Sequence, residues 1–137
     1  MYEIAVEDTF DAAHSLREYE GSCQHLHGHT YRVRARFRFA ALQDSGMAMD
    51  FRQAKTALRS VLNYMDHRYI NELPEFSAQN PTAENIARFI FGRIKEHNAQ
   101  LHSVSVVCIM ATPISSRTRP VIAATGTGQP KCSSVRS

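Results

Sequence analysis

Acidic residues are missing from the last part of this chain: all 13 Asp and Glu residues lie at or before Glu96. Arg117, Arg119, Lys131 and Arg136 follow, so the formal net charge of +3 arises from the C-terminal part while residues 1–96 are near neutral. A basic tail can attract nucleic acid, but dispersed charges without interleaved aromatics make a poor binding surface, and nucleic acid is not an expected partner. Cysteine is scarce, with Cys23, Cys108 and Cys132 scattered along the sequence. An odd number without framework spacing excludes a disulfide scaffold and fits free thiols in a reducing compartment. No apolar run approaches the roughly 18 residues that span a bilayer. The opening MYEIAVEDTF has neither the basic nor the apolar region of a secretory signal. A cytoplasmic protein without a membrane partner is the expectation, and 137 residues suffice for one domain with a real core.

Hydrophobic periodicity supplies the fold class. Residues 2–13 read as a strand with Ile4, Val6 and Phe10 as core positions, and residues 15–26 read as a loop. From His29 the alternation is clean: Tyr31, Val33, Ala35, Phe37 and Phe39 share one face, and Arg32, Arg34, Arg36 and Arg38 share the other. That basic face is either a solvated strand surface or a barrel lining that attracts phosphate, because the guanidinium fork matches phosphate oxygens. Residues 40–46 are expected to connect a hairpin to a short third strand over 47–51. Phe51, Ala54, Leu58, Val61/Leu62 and Met65 then follow a helical stripe. After a loop over 66–79, Asn80 and Pro81 look like the cap and first turn of a second helix, buried through Ile86, Phe89, Ile90 and Ile94. Strand character returns over 101–110. The class is α+β, an antiparallel sheet with two helices on one face. Residues 115–137, rich in Ser, Thr, Gly, Pro and Arg, are expected to be poorly structured, which leaves residues 1–114 as the domain.

The chemistry concentrates near the N-terminus in FDAAHSLREYEGSCQHLHGHTYRV. His27 and His29 are two apart where a strand begins, so both imidazoles project from one face. His14 ends the preceding strand and could supply a third nitrogen. Three protein ligands with one position left open describe a catalytic zinc; a structural site would be closed by four. Elsewhere the bland readings stand. His25 is expected to be exposed, His97 and His102 to flank a turn, and Cys108 to be a small buried hydrophobe. Glu84 suits a helix N-terminus, Asp50 and Thr82 are structural, and Glu20 is a loop residue.

These residues carry a family resemblance. Phe10-Asp-Ala-Ala-His14 and Cys23-Gln-His-Leu-His27-Gly-His29 resemble the 6-pyruvoyltetrahydropterin synthase family. The short gap from Cys23 to His27 is similar to its bacterial branch, the 6-carboxytetrahydropterin synthases of 7-deazaguanine (queuosine) synthesis. GMAMDF from Gly46, MDHRYIN from Met65 and NPTAEN from Asn80 agree in order, and the likeness runs from about Met1 to about Val107. It implies the tunnelling fold, in which sheets join into an oligomeric barrel, here expected to be a hexamer of identical chains. It implies Zn²⁺ on His14, His27 and His29, and 7,8-dihydroneopterin triphosphate as substrate. It further implies Cys23 as the base, with His67 as general acid/base partnered by Asp66. The implied reaction releases acetaldehyde and triphosphate to give 6-carboxy-5,6,7,8-tetrahydropterin. The alternatives are the pyruvoyl-forming synthase of biopterin synthesis and a non-catalytic zinc- and pterin-binding paralogue.

One departure bears on activity. Family members end the last strand with a glutamate before a Thr-Pro or Thr-Cys pair, and that carboxylate grips the pterin. Aligning on Thr112-Pro113 puts Ala111 at the glutamate position. Either the C-terminal end differs and the site is impaired, or an acid from residues 66–75 substitutes.

Overall fold

The computed structural model describes residues 1–21, 24–109 and 122–125. Two long strands, β1 (Tyr2–His14) and β2 (His27–Phe39), form an antiparallel hairpin in full register from Tyr2↔Phe39 to His14↔His27. Helix α1 (Phe51–Met65) follows, then the two-residue strand β3 (Arg68–Tyr69), helix α2 (Ala83–Lys95), β4 (Leu101–Ile109) and β5 (Ile122–Thr125). The sheet order is β3-β1-β2-β4-β5. β1, β2, β4 and β5 run antiparallel, whereas β3 lies parallel to β1 at Ala12 and Ala13, so the sheet is mixed at one edge.

Alternation decides what is buried. Ile4, Val6, Phe10, Ala12 and His14 of β1 and Tyr31, Val33, Ala35 and Phe37 of β2 point into one core. Phe10 stacks on Tyr31 with ring centroids 4.9 Å apart. The helices close the same face through Ala54, Leu58, Leu62 and Met65 of α1 and Ile86, Ala87, Ile90 and Ile94 of α2. On the opposite face Arg34 pairs with Glu7, and Arg36 and Arg38 pair with Glu3 at 3.7 and 3.0 Å, so much of the arginine charge is offset across the hairpin. No helix among the described residues is long and apolar enough to cross a membrane.

Five local expectations change. Residues 47–51 form no strand, because residues 43–47 close a turn on themselves through Gly46 at φ 78° and Asp50 caps α1 by accepting the Arg52 N–H. Phe51, expected in the α1 stripe, is exposed at the first turn. Residues 66–79 are more than loop: β3 and two 3₁₀ turns, Ile70–Glu72 and Pro74–Phe76, bury Ile70, Leu73 and Phe76. The α2 cap is Thr82, which accepts the Asn85 N–H, leaving Asn80 for another task. Within the segment expected to be poorly structured, Ile122–Thr125 pairs with β4 from Ser103↔Thr125 to Val106↔Ile122. The rest of residues 115–137 lies outside the described residues.

Candidate active site and metal centre

Strand register builds the histidine cluster. His14 lies directly opposite His27, and Ala12 opposite His29, so His29 sits diagonally from His14 on the core face of the hairpin. Opposed and diagonal cross-strand side chains are within mutual reach, and all three rings meet edge to face at centroid distances of 4.5–5.1 Å. Tyr31 floors the cluster, its hydroxyl 3.3 Å from His14 Nδ1.

Backbone carbonyls orient two of the rings. His14 Nδ1 donates to the Pro81 carbonyl at 2.7 Å and His27 Nδ1 to the His25 carbonyl at 2.6 Å. With Nδ1 protonated in both, each Nε2 presents a lone pair, and the two Nε2 atoms face one another at 2.9 Å. Two lone pairs at that distance repel unless a proton or a cation lies between them. A ring N–H held by a carbonyl is also how metal-ligating histidines are fixed in tautomer and direction. One nitrogen from each of His14, His27 and His29 lies within 4.8 Å of the others, so this donor set fits a tetrahedral divalent ion of the zinc type. Burial, then the positive charge of His14 and His27, pushes His29 down to about 4. Burial likewise lowers His14, against the opposing pull of Pro81. His14 and His29 are therefore disposed to stay neutral at pH 7, the form that can bind a metal.

His67 lines an open cleft of about 720 Å³, together with Asp11, Gly28, His29, Tyr69 and Ile109. Asp66 Oδ1 accepts from His67 Nδ1 at 3.0 Å and from the Asp11 N–H at 3.0 Å. The Asp11 N–H first, then the neighbouring His67 and Arg59, holds the Asp66 carboxyl below the usual carboxylate range despite opposing burial. Asp66 ends α1, and His67 follows in the left-handed region at φ 57°. A glycine commonly occupies that position. Here a histidine takes it, secured by its own N–H to the Asp11 carbonyl at 2.6 Å. Of these two groups, His67 and His29 are the residues that line the cleft.

The structure also fastens the loop after β1. Asn71 spans Ser15, accepting its N–H at 2.9 Å and donating to its carbonyl at 2.8 Å, and Asn80 spans Arg17 in the same way at 2.8 Å for both bonds. The Arg17 guanidinium reaches the carbonyls of Phe76, Gln79 and Asn71. Nothing local in the sequence marks Asn71, Asn80 and Arg17 for this role, because their partners lie more than fifty positions away. Arg59 was equally unremarked, although its spacing from Asn63 and Asp66 follows one helical stripe. Cys23 and the Ala111 position lie outside the described residues. His25, His97, Glu20 and Glu84 are exposed, while His102 and Cys108 are half-buried.

Comparison with known proteins gives the family and the fold. The family described as 6-pyruvoyl tetrahydropterin synthase matches residues 3–116. The chain belongs to that family. It is similar to the 6-carboxy-5,6,7,8-tetrahydropterin synthase of Synechocystis, at 38% identity over 78% of this chain and 86% of that protein. It is similar also to the protein of that name from Haemophilus influenzae, at 37% identity over 84% of this chain and 96% of that protein. The solved Caenorhabditis elegans 6-pyruvoyl tetrahydropterin synthase shares the fold, with a TM-score of 0.77 and 24% identity over 92% of this chain and 96% of that one. The family is one of tetrahydropterin synthases, and membership supports an enzyme of tetrahydropterin chemistry.

Proposed function

We propose that the protein is a zinc-dependent 6-carboxytetrahydropterin synthase. It takes 7,8-dihydroneopterin triphosphate and one water to 6-carboxy-5,6,7,8-tetrahydropterin, with release of acetaldehyde and triphosphate, in the cytoplasmic synthesis of queuosine. The observation that carries this reading is the three-histidine donor set, which the same chain combines with an Asp66–His67 contact. The two relatives at 37% and 38% identity bear the carboxy name.

His14, His27 and His29 would hold the ion, with the carbonyls of Pro81 and His25 keeping two of their rings in the binding tautomer. Bound zinc would act as a Lewis acid that acidifies the C–H bonds beside the oxygens of the substrate side chain. Cys23 takes the carbon-bound proton. Its thiol, ordinarily near 8.5, is present in larger part as the proton-accepting thiolate where positive charge lies nearby. His67 gives and takes the second proton at Nε2, the nitrogen not engaged by Asp66, and the Asp66 carboxylate stabilises the imidazolium. The pterin ring presents two donors at its amidine edge, and a glutamate would suit them. Ala111 at the family's glutamate position argues for weakened pterin binding. Of the acids in residues 66–75, Glu75 is committed to Tyr64 at 2.9 Å and Arg93 at 3.0 Å, so it is a poor substitute. That departure keeps a non-catalytic zinc- and pterin-binding paralogue as the second reading.

The site is further proposed to be completed in a homo-oligomer, a hexamer. Among the described residues β1 has a strand neighbour on its outer side only at Ala12 and Ala13, and a long edge of this kind is normally covered. A monomeric mass by light scattering at micromolar concentration would refute this.

The functional test is incubation of zinc-loaded protein with 7,8-dihydroneopterin triphosphate, with and without chelator, followed by chromatography. Acetaldehyde and the carboxy product, lost on chelation, are expected. A pyruvoyl product without acetaldehyde moves the chain to the biopterin-type reaction. Bound pterin with no product moves it to the non-catalytic reading.

A further inference from the structure

Arg59 projects from α1 and uses its guanidinium in four directions. Nε donates to Asn63 Oδ1 at 2.7 Å, and Nη1 donates to the Thr9 carbonyl at 2.9 Å and lies 3.2 Å from Asp8 Oδ2. Nη2 reaches Asp66 Oδ2 at 3.3 Å. Arg59 thereby ties α1 to β1 and grips the one Asp66 oxygen that His67 and the Asp11 N–H leave over.

That division of labour matters because His67 is weakly restrained. Its side chain is 78% exposed, so packing does little to fix the ring, and its direction depends on the carboxylate that accepts from Nδ1. A carboxylate held through one oxygen can turn about its terminal torsion, which is broad and two-fold. Held through both oxygens by donors on β1, α1 and His67 itself, it has one orientation. Arg suits this task, since a rigid fork can satisfy several acceptors together where an ammonium acts as a point charge. The same guanidinium offsets negative charge where the Asp8, Asp11 and Asp66 carboxylates gather.

We propose that Arg59 is a positioning residue for proton transfer: it locks Asp66 so that the carboxylate keeps His67 in a single tautomer and orientation over the cleft. This rests on the reading of His67 as the acid/base group. A mere tie between α1 and β1 would also explain the contacts, so the test must separate the two roles.

Arg59→Gln keeps the stem and its packing but loses the charged fork; Arg59→Lys keeps the charge; Asp8→Asn breaks the β1 ion pair alone. Zinc-loaded, folded full-length protein is compared by ¹⁵N-imidazole NMR of His67 and by steady-state turnover. The wild type should show the Nδ1–H tautomer, Arg59→Gln a mixture with Nε2–H, Arg59→Lys a smaller admixture of Nε2–H, and Asp8→Asn the wild-type signal. Arg59→Gln should lower kcat about 10-fold with KM unchanged, the scale on which small misplacements act. Arg59→Lys, which restores the charge but not the fork, should recover part of that loss. In an Asp66→Asn background, Arg59→Gln should add nothing further, because residues acting through one partner are non-additive. An unchanged His67 tautomer in folded Arg59→Gln, or an equal loss of kcat in the Asp66→Asn background, overturns the proposal. Should the wild type turn over no pterin triphosphate, the synthase reading falls, and the NMR comparison still decides what Arg59 does.

Discussion

Acidifying the metal-free protein should reveal what it costs to pack three imidazoles together. His29 titrates at about 4 in the folded chain against an ordinary 6.5, because burial and then the neighbouring His14 and His27 oppose its charging. Unfolded, the same ring takes a proton near 6.5. Between these values the unfolded state binds more protons than the folded one, so stability is full above about 6.5 and is lost as pH falls towards 4. The gap corresponds to at most roughly 3.4 kcal/mol. His29 is only partly buried, and solvent screening brings this to about 1.5 kcal/mol. Urea unfolding at pH 7 and pH 4.5 in chelator, at one protein concentration, reads the loss directly. With a slope of about 1–3 kcal/mol per molar urea, the midpoint attributable to His29 should fall by roughly 1 M. His29→Asn, which cannot titrate, should be spared that part of the loss. If wild type and His29→Asn lose stability equally between the two pH values, the histidine packing is not the source of acid sensitivity.

Three other outcomes are expected. Cys23→Ala should retain zinc by metal analysis yet lose turnover by at least about 100-fold, the usual effect of removing a positioned acid or base; undiminished turnover would pass the role to another residue, Glu20 first. Ala111→Glu should tighten pterin binding, measured by titration calorimetry, by one to several orders of magnitude, since each stranded donor costs roughly 1–3 kcal/mol. A harmful Ala111→Glu would show that another acid holds the ring. Thr82→Ala removes the bond to the Asn85 N–H that caps α2 and should lower stability by about 1 kcal/mol in urea unfolding, with zinc content unchanged.

Several things were legible in the sequence because they depend on local period. Strict alternation over β2 told which side chains face the core, and the stripe Ala54, Leu58, Leu62, Met65 told which face of α1 is buried. His27 and His29 belong to the inward parity of β2, so their convergence could be read from spacing. His14 shares the inward parity of Phe10 and Ala12, but that it meets His27 required the hairpin register, which no local pattern specifies across residues 15–26. The strand expected over 47–51 failed because a strand needs a neighbour, and the chain there turns through Gly46 into the Asp50 cap instead. Asp66 and His67 were marked by adjacency, and Arg59 lies on the same helical stripe seven positions earlier, yet only the fold brings the Asp11 backbone onto them from 55 positions away. Periodicity is written residue by residue and survives without tertiary structure. Contacts between distant segments are set by how the helices close over the sheet, and it is those contacts that orient the site.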